Sequence, residues 1–216
     1  MENERKALEA REAYNIWADQ YDTNDNKTRD LEGIALKEVL SEIDFITCLE
    51  IGCGTGKNTI WLLSKAKKLV AVDFPEEMLK KARTKFINKN VVFHLADIRN
   101  EWTFTSEKFD LVTFSLVLEH IEDLDTIFRK AQLVVASKGY LYLGELHPSK
   151  QYSGTKARYK TEEGLQIVVC YTHHLSDFSN AAKKHGFEVV AINEFFDDND
   201  KSNPPRILTI LFQKSV

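Results

Sequence analysis

The N-terminal part of the chain has the hydrophobic periodicity of helices. Tyr14, Trp17 and Tyr21 recur at intervals of three and four residues, which places three aromatic rings on one face of a helix predicted over about residues 2–22. After a polar stretch, a second apolar stripe predicts a helix over residues 31–43. The aromatic face allows two interpretations: a helix docked on the rest of the domain, or a lid over a bound ligand.

From residue 45 onward, short apolar runs alternate with helical patterns, and the last two runs flank an acidic, proline-containing loop. Alternating strands and helices indicate βαβ units with parallel strands and right-handed crossovers. We therefore predict an α/β fold, namely a doubly wound, mainly parallel seven-stranded sheet with an antiparallel last strand. The predicted strands are residues 45–51, 69–73, 91–96, 109–114, 139–145, 187–196 and 206–214.

This alternation indicates one domain with two additions. Residues 1–44 carry the N-terminal helices, and residues 45–216 form the domain that contains the sheet. Residues 148–172 interrupt that domain after the fifth strand. Their Lys, Arg and Tyr content is typical of a surface insertion.

Composition narrows the class of protein. The 216 residues carry a formal net charge of −4, so no global basic field attracts nucleic acid or anionic lipid. Three cysteines without a CxxC pair indicate a reducing compartment. The charged N-terminus does not resemble a secretory signal, and no apolar run has membrane-spanning length. We expect a cytoplasmic monomer or homodimer that acts on a small molecule, with no membrane partner.

A glycine-rich loop joins the first predicted strand to the following helix. It runs from Glu50 to Gly56 as E-I-G-C-G-T-G, and it lies where open α/β sheets bind ligands. A dinucleotide fingerprint needs a third glycine at position 57, which is Lys57. A phosphate-binding Walker loop needs Ser or Thr after the lysine, where Asn58 stands. The loop is therefore neither an NAD nor an ATP motif.

Followed by a strand that ends in Asp73, this E-x-G-x-G-x-G loop resembles that of the class I S-adenosylmethionine (SAM)-dependent methyltransferases. The resemblance covers about residues 14–214. It implies SAM as cofactor, with S-adenosylhomocysteine (SAH) as product, and it implies that Asp73 accepts hydrogen bonds from both ribose hydroxyls. A carboxylate has suitable acceptor geometry for such a diol. The loop residues implied to border the methionine end are Glu50, Gly52, Gly54 and Gly56, and we expect Cys53 to be a further cofactor contact.

Two further segments match the family pattern. Asp97 and Ile98 follow the third strand. The resemblance implies that the Asp97 carboxylate accepts a hydrogen bond from the adenine amino group and that Ile98 packs on the adenine ring. Ser115 and Leu116 follow the fourth strand and are implied to face the cofactor. His120 has an alternative interpretation as a capping or core histidine. The other cofactor contacts that we expect are Tyr21, Phe74, Met78 and His120.

The resemblance implies direct methyl transfer, for which the protein mainly supplies positioning and a dry pocket. A general base is needed only for an acceptor that must lose a proton, and our candidates are His147, His173 and His120. The [DNS]-P-P-[YFW] motif of DNA and protein-amide methylators does not follow the fourth strand. We expect no metal, because the acids in that region stand at a predicted helix start, where acids are favoured anyway.

Three functions remain open. The leading hypothesis is methylation of an O or N atom of a small molecule. The second is an RNA or tRNA methyltransferase whose insertion contacts phosphates, with Tyr152 and Tyr159 stacking on bases. The third is a SAM-binding regulatory protein without catalytic activity, since fold alone does not establish chemistry. The basic residues of the second hypothesis are Lys150, Lys156, Arg158 and Lys160.

Overall fold

A seven-stranded sheet forms the centre of the molecule. The structure is a computed structural model and describes residues 8–87, 89–161 and 164–215. The strands are β1 (Thr47–Ile51), β2 (Lys68–Asp73), β3 (Val91–Leu95), β4 (Phe109–Ser115), β5 (Val135–Leu146), β6 (Arg158–Thr161), β7 (Gly164–Ile167), β8 (Phe187–Phe195) and β9 (Ile207–Lys214). The order in the sheet is β3-β2-β1-β4-β5-β9-β8, and β6 pairs with β7 in a separate antiparallel hairpin.

Helices cover both faces of this sheet. They are α1 (Ala10–Tyr21), α2 (Lys27–Val39), α3 (Thr59–Lys65), α4 (Glu76–Lys85), α5 (Leu124–Val134), α6 (Pro148–Tyr152) and α7 (Leu175–Lys184). Phe128 of α5 and Phe178 of α7 belong to the core on one face, whereas Leu36 of α2 and Leu62 of α3 belong to the core on the other. Among the described residues, no helix combines the length and the apolar content needed to span a bilayer.

The central strands are buried on both faces. In β2, Val70 and Val72 belong to the core that contains α5, whereas Leu69 and Ala71 belong to the opposite core. Because successive side chains of a strand point to opposite faces, a strand that is covered on both sides needs an unbroken apolar run. This requirement explains the runs seen in the sequence.

The predicted fold class is confirmed. Strands β1 to β5 are parallel, and β9 is antiparallel to both of its neighbours, β5 and β8. From β1 the chain builds outward through β2 to β3, then crosses to β4 on the other side of β1. Ligands of open α/β sheets bind at such a switch point, outside the carboxyl ends of the strands.

The two N-terminal helices differ from their predicted bounds. α1 begins at Ala10, and Leu8 instead forms a strand-like bridge to the insertion. The rest of the predicted helix start, residues 2–7, lies outside the described residues. α2 begins at Lys27, earlier than predicted, because the Asn26 side chain accepts a first-turn backbone hydrogen bond of 3.0 Å and caps the helix.

The insertion after β5 is more regular than the surface segment that we predicted. It contains α6 and the β6–β7 hairpin, and its Tyr159 is buried against Trp17 of α1, with 5.4 Å between the stacked rings. On its other side α1 contacts α4, where the Asn15 side chain accepts a hydrogen bond from the backbone of Glu77 at 3.1 Å. α1 therefore lies between α4 and the hairpin.

Candidate active site

Two glycines of the loop after β1 are required by packing. Gly52 and Gly56 have φ angles of 75° and 84°, a region that residues with a Cβ rarely adopt. A Cβ on Gly52 would lie 2.0 Å from Cγ2 of Val117, and one on Gly56 would lie 2.5 Å from Cε2 of Phe86. Gly56 is not among the residues that line the cavities described below, so its place in the motif reflects the shape of the loop.

Gly54 and Asp73 connect the loop to the end of β2. The backbone N–H of Gly54 donates to one oxygen of Asp73, and the N–H of Phe74 donates to the other at 2.7 Å. Burial raises the pKa of Asp73 to about 6. A Cβ added to Gly54 would meet nothing closer than Oδ2 of Asp73, at 3.9 Å. Space is therefore open above the carboxylate.

A cavity of about 1010 Å³, which we call the main cavity, opens at the switch point. The ends of β1, β2 and β4 form its walls, together with the loop after β3 and part of α1. The structure brings most of the expected cofactor contacts together here. Those that line the main cavity are Tyr21, Gly52, Gly54, Asp73, Phe74, Met78, Asp97, Ile98, Ser115, Leu116 and His120.

The loop after β3 is held in place from two sides. Nε and Nη2 of Arg99 donate to the Asp97 carboxylate at 3.0 and 2.8 Å. Burial opposes ionisation of Asp97, but the hydrogen bonds from Arg99 outweigh it and lower the pKa. Nζ of Lys130, a buried lysine of α5, donates to the carbonyl oxygens of Ile98, Arg99 and Asn100 at 3.1, 2.8 and 2.8 Å. Lys130 therefore fixes the backbone of this wall.

An aromatic ring flanked by two cations stands in the same wall. The guanidinium of Arg11, from α1, lies 4.9 Å from the ring centroid of Phe74, and that of Arg99 lies 5.5 Å away. Both distances are within the range of cation–π attraction. All three residues line the main cavity, so this region offers planar surfaces on which a planar base would stack.

A smaller cavity, which we call the carboxylate cavity, lies beside the glycine loop. Two buried acids line it: Glu50 accepts a hydrogen bond from Oγ1 of Thr59 at 2.5 Å, and Glu32 accepts one from Nδ2 of Asn58 at 2.8 Å. Burial raises the pKa of Glu50 to about 8, and the charge of Glu32 adds to the shift. Burial raises the pKa of Glu32 to about 6. Cys53 also lines this cavity.

The cations of the carboxylate cavity have other partners. Nζ of Lys57 contacts the carboxylate of Asp30, and Nη1 of Arg29 donates to Oδ1 of Asn24 at 3.0 Å. The hydrogen bonds described for Glu32 and Glu50 come from neutral groups. A cationic ligand group would therefore be stabilised here, and it would lower the raised pKa values of both acids.

A third cavity of about 850 Å³, which we call the basic cavity, is lined by residues of α1, the segment before α2 and the insertion. Trp17 and Glu119 are buried groups of its lining. Cationic side chains outnumber acids in this lining, with Lys27, Lys156, Arg158 and Arg206 against Asp25 and Glu119. The lining of the basic cavity therefore has an excess of cations, whereas the lining of the carboxylate cavity has two acids beside two cations that contact other groups.

Tyr21 and Leu116 line all three cavities. Leu116 has a φ of 55°, a strained value for a residue with a Cβ, and its N–H donates to the carbonyl oxygen of Gly144 at 2.8 Å. Tyr21 is the last residue of α1. A ligand that fills the main and carboxylate cavities would meet a ligand in the basic cavity at this pair of residues.

His120 stands in the wall of the main cavity in a defined orientation. Its Nδ1 lies 2.8 Å from the carbonyl oxygen of Val169, which accepts only, so Nδ1 carries the proton. Its Nε2 lies 3.1 Å from the hydroxyl of Tyr14 and accepts from it. Burial raises the pKa of Tyr14 well above its usual value, so that hydroxyl remains protonated.

Beside His120, the buried carboxylate of Glu119 borders the basic cavity. Among the described residues, its Oε2 has no hydrogen-bond partner. Polar atoms of Glu119, His120 and Cys170 lie within 4.8 Å of one another, a spacing that a metal ion would also accept. Both ring nitrogens of His120, however, already contact protein groups. Our expectation that no metal binds stays a prediction.

Glu145 supports this wall from below. Its Oε1 accepts hydrogen bonds from the backbone of Val117 at 3.0 Å and of Leu118 at 2.8 Å, which fixes the 3₁₀ turn Leu118–His120. Burial raises the pKa of Glu145 to about 8, and the nearby charge of Glu119 adds to the shift. Glu145 is therefore a supporting residue rather than a cavity-lining one.

The structure does not bring His147 and His173 to these cavities. His147 caps α6, with Nδ1 accepting from the backbone of Ser149 at 3.1 Å, and its Nε2 lies 3.1 Å from Glu194. His173 is buried, and its Nε2 donates to the carbonyl oxygen of Ile121 at 2.7 Å. Both rings have structural partners, so we do not retain these two residues as candidate bases.

Several residues of the site were missed by the sequence reasoning. Lys130 and Glu32 each occupy a position within the apolar stripe of their helix, one turn from Ile127 and from Leu36 respectively. A charged residue on an apolar face must find buried partners, so this signal was present in the sequence. Arg11 gave no such signal, because its role depends on how α1 packs.

Comparison with known proteins agrees with this geometry. A family model described as a methyltransferase domain matches residues 49–143. An uncharacterised methyltransferase of Emericella nidulans is 26% identical, with 86% of this chain and 78% of that protein covered. A malonyl-[acyl-carrier protein] O-methyltransferase of Bacillus cereus is 32% identical over 60% of this chain and 51% of its own length. A crystal structure of a SAM-dependent methyltransferase from Mesorhizobium loti superposes with a TM-score of 0.71 at 20% identity, covering 85% of this chain and 98% of that one.

The family match, the relatives and the fold together identify the class of enzyme. These findings support a class I SAM-dependent methyltransferase. SAM is the cofactor of that class, and the residues present fit it. The carboxylate cavity suits the ammonium group of the methionine end, and Asp73 with Phe74 suits a nucleoside.

Proposed function

We propose that this methyltransferase acts on an oxygen or nitrogen atom of a small-molecule acceptor. The observation that supports this most directly is the junction at Tyr21 and Leu116, where the space suited to SAM meets a separate cavity. When bound, SAM supplies a methyl group on a positively charged sulfur. The acceptor atom must approach that methyl group in line, and the basic cavity is the space from which it would do so.

Within this proposal, the nucleoside occupies the main cavity and the methionine end occupies the carboxylate cavity. Asp73 would accept from the ribose, while Asp97 and Ile98 would contact the adenine. Glu50, with Glu32 behind it, would face the ammonium group. These assignments are supported by the cavity that each residue lines.

α1 has a positioning role in this proposal. Tyr14 and Tyr21 line the main cavity, and Trp17 lines the basic cavity, so one helix contributes to the walls of both. Its packing against α4 and the hairpin supports the interpretation of the N-terminal residues as a cover that excludes water from the reacting groups.

His120 is the one of our three candidate histidines that lines the main cavity. Its Nε2 already accepts the Tyr14 hydroxyl at 3.1 Å, so it would have to exchange that partner before it removed a proton from an acceptor. We therefore propose that His120 and Tyr14 position groups at the junction. An acceptor that is nucleophilic without losing a proton needs no base at all.

The RNA hypothesis loses one of its supports. Tyr159 is buried beneath Trp17 with 3% of its surface exposed, so its ring has no free face for a base. Lys156 and Arg158 line the basic cavity. Tyr152 remains exposed. These placements favour a ligand enclosed by the cavity over a nucleic acid lying across the surface.

Two measurements on the purified protein test the proposal. Calorimetry with SAM and SAH measures cofactor binding, and incubation with labelled SAM and a metabolite extract shows whether a small molecule becomes labelled. The Asp73→Ala variant serves as the control for both. Label found only in the RNA fraction would replace the proposal with the RNA hypothesis. Tight SAM binding without any labelled product would favour the regulatory one.

A further inference from the structure

We infer that the acceptor is an anionic small molecule with a hydroxyl or amino group, whose anion lies among the cations of the basic cavity and whose O–H or N–H donates to Glu119. This inference rests on the proposed function, because it names the acceptor class of the same site. It comes from two independent features of the basic cavity, namely its unpaired cations and its unpartnered buried polar atoms.

The first feature is a set of cations without partners. Among the described residues, Lys27, Lys156 and Arg158 form no ion pair within 4.0 Å, although all three line the basic cavity. Arg206 is different, because Asp197 binds its Nε and Nη2 at 2.5 and 2.6 Å and offsets its charge. Within the described part of the chain, three cations therefore have no ion-pair partner, and a carboxylate or phosphate is the group that they would bind best.

The second feature lies deeper in the same cavity. Glu119 and Trp17 are 6% and 3% exposed, yet neither Oε2 of Glu119 nor Nε1 of Trp17 has a hydrogen-bond partner among the described residues. A buried polar atom without a partner is costly, and a ligand that supplies the partner recovers that cost on binding. The carboxylate oxygen needs an O–H or N–H donor, and the indole needs an acceptor.

Together the two features describe one molecule. Its anion binds at the exposed lysines and arginine, and its hydroxyl or amino group reaches Glu119 near Leu116, where a methyl acceptor has to be. Asp25 also lines this cavity and would disfavour the anion near itself. An RNA backbone would supply the anion, but one of its bases would also have to reach the buried Glu119. The stacked rings of Trp17 and Tyr159 oppose that approach.

Binding to the SAH-saturated enzyme tests the inference without depending on turnover. The probes are 4-aminobutyrate, 4-aminobutanamide (in which a neutral amide replaces the carboxylate), 3-aminopropyl phosphate and inorganic phosphate. Binding of each probe is measured by thermal shift and calorimetry. We expect the two amino-bearing anions, 4-aminobutyrate and 3-aminopropyl phosphate, to bind about tenfold or more tightly than the amide, since charge-assisted hydrogen bonds are the strong ones. The tighter of the two identifies the anion that the cavity prefers.

Three variants separate the two ends of the site. Lys156→Ala with Arg158→Ala should weaken every anionic probe about tenfold, whereas Lys37→Ala with Lys80→Ala, which removes two exposed lysines outside these cavities, should not. Glu119→Gln should weaken the amino-bearing anions and leave inorganic phosphate unchanged. That split would not arise from a merely structural role of Glu119.

The outcomes separate this inference from the function on which it rests. Equal binding of 4-aminobutanamide and 4-aminobutyrate overturns the inference, as does the absence of binding by every anionic probe at millimolar concentration. Binding of tRNA that is lost in the Lys156 and Arg158 double variant, without binding of small anions, also overturns it. A labelled but uncharged methylated product would refute the inference while the proposed methyl transfer stands.

Discussion

The carboxylate cavity and the basic cavity lie on either side of the same two residues, yet the charges that line them differ. The first is lined by the buried Glu32 and Glu50, whose hydrogen bonds come from neutral groups. The second is lined by four cations, three of them without an ion-pair partner in the described part of the chain. Between them stand Tyr21 and Leu116, which carry no charge.

This difference explains how a site without an evident catalytic dyad would assign each ligand to its place. A cationic methionine end would be attracted to the carboxylate cavity and repelled from the basic one, and an anionic acceptor would be distributed the opposite way. Electrostatic complementarity of this kind adds specificity by rejecting the wrong arrangement as well as by favouring the right one. Variants that affect one cavity should therefore leave ligand binding in the other intact.

The largest effect on the cofactor side should come from Gly54→Val. Gly54 has a φ of 55°, and a side chain there would point toward Asp73 and Tyr21 across the open part of the main cavity. We expect SAH affinity to fall about a hundredfold or more, because the valine fills ligand space and is strained in the left-handed region. Calorimetry checks this.

The control for that variant is Gly154→Val. Gly154 has a φ of 84°, and a Cβ there would have no neighbour within 4 Å. A valine at this position is therefore under comparable backbone strain but does not line the cavities, and SAH affinity should be unchanged. Retained affinity in Gly54→Val would mean that the ligand does not pass over the loop.

Asp73→Ala should have the next largest effect, a loss of about tenfold or more in SAH affinity, because hydrogen bonds from ribose hydroxyls to a buried carboxylate would be lost. Asp110→Ala is the matched control. Asp110 also accepts two backbone N–H groups, from Ile46 and Thr47, each at 2.9 Å, but these lie at the amino end of β1. If both variants weakened SAH equally, the loss would reflect backbone support rather than ribose recognition.

A smaller, pH-dependent effect should come from Glu50. Burial raises its pKa to about 8, and a cationic ligand group favours the ionised form. Ligand binding is then strongest above that pKa, so SAH affinity should rise severalfold between about pH 6 and pH 8.5. Calorimetry across this range checks the slope, and Glu50→Gln should flatten it. A slope that is equally steep in the variant would assign the titration to another group.

The same pKa has the opposite consequence for the protein without ligand. Because the folded state holds the proton of Glu50 more tightly than the unfolded chain, stability is greatest below the unfolded value and falls as pH rises toward about 8. Glu145, with its pKa also raised to about 8, acts in the same direction. The melting temperature of the free protein should therefore fall over the range in which SAH affinity rises, and saturation with SAH should reduce that fall.

Residues for the cofactor side of this comparison could be proposed from local sequence patterns, whereas residues for the acceptor side could not. Unbroken apolar runs predict strands that are covered on both faces, and the motif from Glu50 to Gly56 predicts the loop. Both features are determined by residues that are adjacent in the sequence. The basic cavity joins Lys27, Arg158 and Arg206, which are far apart in the chain. They meet where the start of α2, the insertion and the segment before β9 approach one another, an arrangement that depends on tertiary packing.

The choice among the candidate histidines depends on the same long-range packing. His147 follows β5, and His173 precedes α7. Position in the sequence does not determine where either side chain points, because that orientation depends on partners that no local pattern reveals. His147 meets Ser149 and Glu194, and His173 meets the backbone of Ile121. Neither histidine lines the cavities, and sequence spacing alone does not report where a side chain points.

The smallest effect on SAH affinity should come from Lys130→Met, and a control variant separates that effect from loss of folding stability. Lys130→Met removes the donor from three carbonyl oxygens of the loop after β3, of which that of Ile98 is buried, and should cost about 1–3 kcal/mol of folding free energy. SAH affinity should also fall a few-fold, because Asp97 and Ile98 lie in that loop. Lys214→Met is the control: Lys214 donates to the carbonyl oxygens of Gln132 and Val135, remote from the cavities, so its loss should lower the melting temperature without changing SAH affinity. Equal SAH affinity in the two variants would show that the loop after β3 keeps its shape without Lys130. Lys130 would then stabilise the fold without contributing to cofactor binding.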